Sequence, residues 1–338
     1  MSYEALHRVV RGEEVERHHA SDLLRAFADG EASTEHLAAF LTGLTIRGEK
    51  AQALLGFVDV LRERYIPVDL GDIPAMCVCG TGGDGQQTVN LSTASSFVVA
   101  ASGVPVAKHG NHGVSSKAGS ADVLGALKVP YKLDPSGITA MVKEIGIGFI
   151  YAPAHHPLFA KIGPVRRLLG FRTAFNLLGP IVNPAQVKRQ VIGVPSIKIM
   201  HLIAEVLAEL GTDRAMILHT PGPYDEVSLT APAKALLVEK GGISDLEFAP
   251  KDFGTETIAP ADLAGSDAEG NAKRIISVFE GEVSPLRNAI CANAACALVV
   301  AGKVADVREG FALAQRVIGD GLALGKLRQA QTFQIGVA

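Results

Sequence analysis

Apolar residues near the start of the chain recur at helical spacing, as in Leu37, Phe40, Leu41 and Leu44, and again in Leu54, Leu55, Val58 and Leu61. A stripe of that period buries one face of a helix. Residues 3–65 therefore read as four short helices, with Gly30 and Gly48 at helix ends. No strand-like run precedes residue 75, and Ile66 to Pro74, with Pro67, Gly71 and Pro74, reads as a linker.

Beyond the linker the period changes. Met76–Val78, Val104–Ala107, Ile147–Tyr151, Gln190–Val194 and Ala215–His219 are short apolar runs, the pattern of buried strands. Helical patterns at 92–102, 120–127, 136–145 and 197–210 separate them. Such alternation predicts a sheet of βαβ units with helices on its faces. Asp134-Pro135 and Ser284-Pro285 are helix starts, a capping side chain followed by Pro in the first turn. Residues 234–248 read as a hairpin, Ala235–Val238 and Ile243–Phe248 turned around Gly241-Gly242, and 269–330 read as helices. The expected fold class is α/β. A small all-helical N-terminal domain (1–70) precedes a large α/β domain (71–338) with a central, mostly parallel sheet flanked by helices.

Composition narrows the class. With 338 residues, 48% of them hydrophobic, 36 Gly and no Trp, the chain suits a well-cored α/β protein. A formal charge of -3 argues against a nucleic-acid partner. Met1 to Glu14 is charged and carries no signal-peptide core, and no apolar run approaches the ~20 residues that span a bilayer, so no membrane partner is expected. Cys77, Cys79, Cys291 and Cys296 fit no zinc spacing and read as reduced structural thiols of a cytoplasmic protein.

The chemistry concentrates between Cys79 and Asp122. Cys79-Gly80-Thr81-Gly82-Gly83-Asp84-Gly85 follows the first predicted strand, and Asn90-Leu91-Ser92-Thr93-Ala94 opens the next helix. Glycines let backbone N–H groups approach an anion, and a helix N-terminus adds partial positive charge. A second small-residue loop, from Lys108-His109-Gly110-Asn111 to Ser115-Ser116-Lys117-Ala118-Gly119-Ser120, follows the second strand. The hydroxyls of Ser92, Thr93, Ser115, Ser116 and Ser120 and the Lys108 ammonium are further donors. This is neither a P-loop nor a dinucleotide fingerprint, since no Gly-Lys-Ser/Thr follows and no acidic residue stands at the required distance. It reads as a phosphate cradle. His109 taken alone reads as a packed histidine.

Asp225-Glu226 lies beyond Pro221-Gly222-Pro223, in a loop after the strand ending near His219. Adjacent carboxylates on a surface loop are ordinarily solvated. As ligands they suit Mg2+, which takes one or two carboxylates and completes its shell with water and phosphate oxygens. His155-His156-Pro157 lacks metal-site spacing and reads as a loop entering a helix at Pro157. One of Arg166, Arg167 and Arg172 could clamp a carboxylate through its planar fork, while an exposed helix face is the better explanation of Arg167.

Together these blocks resemble the anthranilate phosphoribosyltransferase family, within the nucleoside phosphorylase and phosphoribosyltransferase superfamily. The resemblance rests on the segments quoted from Cys79 to Asn111, on Val114-Ser115-Ser116-Lys117, and on Gly119-Ser120-Ala121-Asp122-Val123-Leu124. It continues in Pro164-Val165-Arg166, in Leu169-Gly170-Phe171-Arg172-Thr173-Ala174-Phe175-Asn176-Leu177-Leu178-Gly179-Pro180 with Asn183-Pro184, and in Asp225-Glu226-Val227-Ser228-Leu229-Thr230. It spans nearly the whole chain. Departures stand at His112-Gly113, where the family usually carries Arg and a small residue, at Pro223-Tyr224, where Gly and an aliphatic are commoner, and at Phe159 in place of Met.

The resemblance implies transfer of phosphoribose from phosphoribosyl pyrophosphate (PRPP) to the amine of anthranilate, in tryptophan biosynthesis, with release of pyrophosphate. It also implies an interdomain cleft, a segment near 165–185 returning to the helical domain, and a homodimer formed through that domain. PRPP would be held by Gly83, Asp84, Asn90, Leu91, Ser92 and Thr93. The loop of Lys108, His109, Gly110, Asn111, His112, Gly113, Val114, Ser115 and Ser116 would join them, assisted by Thr88 and Ser120. Asp84, Lys108 and Glu226 would be the catalytic residues. Ser92 and Glu226 would ligate one Mg2+, Asp225 and Glu226 a second. Arg166 and Asn111 would hold the anthranilate carboxylate, with Gly80 behind the ring and no base role for His109. The alternatives are a related transferase or nucleoside phosphorylase with another acceptor, and a non-catalytic nucleic-acid-binding relative, which should have lost the acidic pair.

Overall fold

The computed structural model describes residues 3–113 and 117–334. Helices α1 (Glu4–Arg11), α2 (Arg17–Asp29), α3 (Thr34–Arg47) and α4 (Ala51–Arg64) occupy the stretch expected to be helical. Their apolar stripes meet in one core, where Leu37, Phe40, Leu41, Leu54, Phe57 and Val58 are sealed from solvent. Gly30 ends α2 at φ 83°, backbone that is costly for any residue carrying a Cβ.

The alternating region follows as β1 (Met76–Gly80), α5 (Leu91–Ala101), β2 (Val106–Gly110), α6 (Ser120–Ala126), α7 (Pro135–Ile145) and β3 (Ile147–Tyr151). Three helices come next, α8 (Ala152–His155), α9 (Pro157–Leu169) and α10 (Phe175–Leu178). The sheet resumes with β4 (Arg189–Gly193), α11 (Ile197–Glu209), β5 (Arg214–His219), β6 (Ala233–Glu239) and β7 (Gly242–Phe248). The chain ends in α12 (Pro250–Phe253), a 3-10 turn (Pro260–Leu263), α13 (Ala268–Phe279), α14 (Pro285–Val300), α15 (Val307–Gly319) and α16 (Leu322–Thr332). As the sequence predicts, Asp134 and Ser284 cap α7 and α14, accepting from the N–H groups of Gly137 and Arg287.

Among the described residues the strands form one seven-stranded sheet in the order β3-β2-β1-β4-β5-β6-β7. The pairs from β3 to β5 are parallel, and the β6–β7 hairpin is added antiparallel. β1 and β3 are buried along nearly their whole length, as parallel strands covered on both faces must be. On one face lie α5 and the C-terminal helices, through Phe97, Phe149, Phe279 and Leu298. On the other, Ile192 and Ile217 join Ile203 of α11, and this core runs without a break into the four N-terminal helices. Ile162, Val165, Phe175 and Leu178 belong to the same cluster, with the Phe175 ring stacked on Phe57 at 5.0 Å.

Two details differ from the sequence reading. β2 does not end at Ala107 but runs to Gly110, so Lys108 and His109 are strand residues. The stretch 66–74 is not a loose linker. Val68 and Leu70 are buried against Ile138, Val142 and Ile150. Ile66 N–H donates to His155 C=O at 2.8 Å and Val68 N–H to Pro184 C=O at 3.1 Å. Proline and glycine mark such a strap as non-helical, but its partners are distant in sequence.

The strand order fixes where a ligand fits. The chain leaves β1 toward β2 on one side, whereas β4, the other neighbour of β1, leads on to β5 in the opposite direction. Loops leaving β1 and β4 therefore diverge and open a crevice at the carboxyl ends of the strands, the usual binding place in such sheets.

Candidate active site

Gly80 ends β1 and Gly193 ends β4, and Asp225 lies across both. A Cβ on Gly80 would stand 2.3 Å from Asp225 Oδ2, and one on Gly193 would stand 1.5 Å from the Asp225 carbonyl oxygen. Only at glycines can the segment after β5 cross the strand ends so closely. Gly82 N–H then donates to Asp225 Oδ2 at 2.8 Å. Asn293, on α14, fixes the same segment from below. Its Oδ1 accepts Val227 N–H at 3.0 Å and its Nδ2 donates to Val227 C=O at 2.9 Å. The carboxylates are thus turned inward, and Asp225 is 9% exposed rather than a solvated loop residue.

Glu226 joins this segment to the start of α5. Its Oε1 accepts Ser92 N–H at 3.0 Å, and its Oε2 accepts the Thr88 hydroxyl at 3.3 Å. Lys108 reaches the same place from β2. Its buried ammonium donates to Val78 C=O at 2.5 Å and to Ser92 Oγ at 3.3 Å. The expected loop lysine is instead a strand residue lying beneath the cradle.

The electrostatics call for a cation. Burial, then the neighbouring Asp84 charge, push the Asp225 carboxyl up to about 7. Burial, then Asp225, push Glu226 well above the usual carboxylate range, with Lys108 pulling only partly the other way. Two mutually repelling carboxylates beside the Ser92 hydroxyl form an all-oxygen donor set, which fits Mg2+. A pH dependence follows. The folded chain retains a proton on Asp225 that the unfolded chain releases near its ordinary 3.8. The stability contributed by this group is full below about pH 4 and is lost as pH rises through about 7. Added MgCl2 is therefore expected to raise the melting temperature more at pH 8 than at pH 5.5. Thermal melts at both values check this, and equal shifts would refute it.

At the end of β2, Asp122 organises the second loop. Burial opposes its charge, yet N–H bonds from Gly113 (2.9 Å) and Gly119 (2.8 Å) and a 2.5 Å contact to His112 Nδ1 hold it below its ordinary value. Ser120 Oγ donates to Asn111 C=O at 3.3 Å, and Asn111 Oδ1 accepts His112 N–H at 2.7 Å. Asn90 is fixed between Ala118 C=O and Asn271 Nδ2. Val114, Ser115 and Ser116 lie outside the described residues. The Leu91 side chain is sealed in the core, so only its backbone remains for a ligand. Thr93 is fully buried, its hydroxyl without a partner among the described residues.

The His109 ring does not face the cradle. Strand alternation sends its ring to the face opposite Lys108, where Nδ1 meets Gly179 C=O at 2.8 Å and the ring lies 5.1 Å from His156. Burial lowers His109 to about 4; burial and then His109 lower His156 to about 3. Both rings are neutral at pH 7. Phe159 packs on His156 with ring centroids 4.8 Å apart. Arg166 is half-buried on α9, its pKa drawn down by burial and then by the nearby Arg172 charge. No hydrogen bond joins it to Asn111 among the described residues. Arg172 Nη2 donates to Gly82 C=O at 2.9 Å.

The sequence suggests no role for Asp122 or Asn293, and offers Arg172 as a carboxylate clamp rather than as a partner of the Gly82 carbonyl. Asn293 carries a signal in retrospect, a lone amide in a run of Ala, Cys, Leu and Val.

Fold and cradle together define a glycosyl transferase. Residues 3–65 match the model of the glycosyl transferase family, helical bundle domain, and residues 73–324 match that of its a/b domain. The chain belongs to the anthranilate phosphoribosyltransferase family. It is 42% identical over 337 residues to the anthranilate phosphoribosyltransferase of Thermomicrobium roseum, covering 98% of this chain and 97% of the relative. The crystal structure of the Thermus thermophilus anthranilate phosphoribosyltransferase superposes with a TM-score of 0.91 at 35% identity, covering 97% and 98% of the two chains. The Saccharomyces cerevisiae protein, solved in complex with PRPP and Mg, shares the fold with a TM-score of 0.87 at 23% identity over 96% of this chain and 95% of its own.

Proposed function

We propose that this chain transfers the 5-phosphoribosyl group of PRPP to the amine of anthranilate and releases pyrophosphate. The supporting observation is the meeting of Asp225, Glu226, Ser92 and Lys108 at the Gly80–Gly83 turn, within reach of the Asp84 charge. In the reaction the bond from the sugar C1 to a pyrophosphate oxygen breaks as a bond from C1 to the anthranilate nitrogen forms. Negative charge collects on the leaving pyrophosphate and positive charge on the ribose.

Catalysis in this reading is placement and charge. The amides of Gly83 and Asp84, the Thr88 and Ser92 hydroxyls and the loop from Asn111 to Ser120 orient PRPP. Lys108 sets a fixed positive charge below the leaving group. Ser92, Asp225 and Glu226 hold Mg2+, which we read as two ions and which, when bound, offsets charge on pyrophosphate. An aromatic amine is uncharged near neutral pH and needs no strong base, in keeping with the neutral, engaged His109. Arg166 takes the anthranilate carboxylate, aided by Asn111, with Gly80 behind the ring.

We divide the chain into residues 1–70 with the returning segment 165–185, and residues 71–338. The shared core of Phe57 and Phe175 supports that division. Val10 (78% exposed) and Ile46 (80%) support a pairing surface for two copies on the helical side. No described helix is long and apolar enough to cross a membrane. The cytoplasmic location we assign rests on the phosphorylated substrate.

The direct test is PRPP- and Mg2+-dependent loss of anthranilate fluorescence; none with purified, folded protein would end the reading. Arg166→Ala is expected to raise the KM for anthranilate roughly 10- to 100-fold, the effect of losing a charge-assisted hydrogen-bonding fork. The KM for PRPP should stay within about twofold, because the arginine is assigned to the acceptor. Steady-state kinetics in both substrates check this, and the reverse pattern would reassign the arginine.

A further inference from the structure

The Gly82-Gly83 turn is gripped by a side chain that the phosphate chemistry above leaves unused. Gly82 and Gly83 sit at φ 69° and 74°, backbone that glycine alone adopts cheaply. Gly82 is tied on one side to the acidic segment, through its N–H and Asp225 Oδ2 at 2.8 Å. On the other side its C=O accepts from Arg172 Nη2 at 2.9 Å. The guanidinium lies directly against Gly83, and a Cβ there would stand 1.5 Å from Nη1. Arg172 makes no ion pair among the described residues, so its bond to the turn is its anchoring contact.

Peptide planarity turns this grip into a direction. A trans peptide carries its C=O and N–H on opposite sides. Holding the Gly82 carbonyl toward Arg172 aims the Gly83 N–H away from it, and that N–H has no partner among the described residues. Arg172 also comes from a different part of the chain. It stands between α9 and α10, whose side chains share the core of the N-terminal helices, whereas the turn belongs to the sheet.

The geometry points to Arg172 as a positioning residue that sets the Gly82–Gly83 peptide so that its N–H meets the pyrophosphate of PRPP, and that ties this turn to the segment carrying Arg166. The inference rests on the proposed function for the identity of the ligand. Arg172 acts through the turn and is not assigned a contact with the reacting atoms.

Calorimetric titration with magnesium pyrophosphate, alongside steady-state kinetics and thermal melts, tests it on the full chain. Arg172→Ala is expected to weaken magnesium pyrophosphate binding and raise the KM for PRPP about tenfold, the scale of one charge-assisted hydrogen bond. The expected change in kcat is under about threefold, and the melting temperature should hold, because Arg172 is partly exposed and makes one hydrogen bond among the described residues, to Gly82 C=O. Arg172→Lys keeps the charge but not the planar fork and should not restore binding; full restoration by lysine would overturn the positioning role. Gly83→Ala should lose roughly 100-fold, since its methyl meets the guanidinium. The double variant Gly83→Ala with Arg172→Ala should recover part of that loss, because the obstructing group is gone. Losses that simply multiply, or wild-type affinity in Arg172→Ala, would overturn the inference and leave the proposed function standing. Wild-type protein that binds magnesium pyrophosphate but never consumes anthranilate would overturn the acceptor assignment and leave the inference standing.

Discussion

Glu226→Gln is expected to lower turnover by roughly a thousandfold, the scale of removing a group that stabilises developing charge through a metal, while leaving the fold intact. The amide matches the carboxylate in shape. Its oxygen can still accept Ser92 N–H, and its NH2 can donate to Thr88 Oγ1, the two hydrogen bonds of the Glu226 side chain among the described residues. Burial and Asp225 already disfavour the ionised acid. Neutralising it should therefore leave the metal-free melting temperature equal or slightly higher. What disappears is an anionic oxygen for Mg2+. Turnover measured across a Mg2+ titration, with circular-dichroism melts as the control, checks both halves. Near-normal turnover at limiting Mg2+ would remove the metal assignment.

Lys108→Met should cost about 10²- to 10³-fold in kcat/KM for PRPP, comparable to deleting one preorganised charge donor in an active site. Methionine preserves the length of the side chain in the strand but leaves Val78 C=O and Ser92 Oγ without the ammonium that binds them at 2.5 and 3.3 Å. It also removes the positive charge that partly offsets Glu226. The carboxyls then become harder to ionise, so the acidic limb of the activity profile should move to higher pH and more Mg2+ should be needed at neutral pH. Kinetics at several pH values would show this. A variant slowed equally at every pH would break the proposed electrostatic link between β2 and the acidic segment.

Local features of the fold are legible in the sequence. Four helical stripes, five apolar strand runs and a Gly-Gly hairpin all appear near their expected places, because hydrophobic period and caps act over a few residues. The sequence places the second strand at 104–107, whereas β2 runs from Val106 to Gly110, so its existence was readable but its bounds were not. Lys108 and His109 look like loop residues until a strand on either side offers them hydrogen bonds. The glycine turn and the Asp225-Glu226 pair were recognisable as candidate chemistry from residue type and order. Their juxtaposition was not, since it depends on Gly80 and Gly193 admitting Asp225 at the strand ends and on Asn293 bracketing Val227 from another helix. Asp122 was visible only as part of a motif, because its work is to collect N–H groups from Gly113 and Gly119, a geometry that exists only after the loop has closed.

The stacking of Phe57 on Phe175 bears on how the molecule is made. The N-terminal helices emerge from the ribosome first, yet the residues that finish their apolar interior, Ile162, Val165, Phe175 and Leu178, are synthesised only after three strands of the sheet. Until then the nascent bundle stands with one side open and cannot reach its final stability. A fragment stopped after α4 inherits that open side permanently. Helix and sheet portions of this polypeptide are therefore one folding problem in time, however separable they look in space.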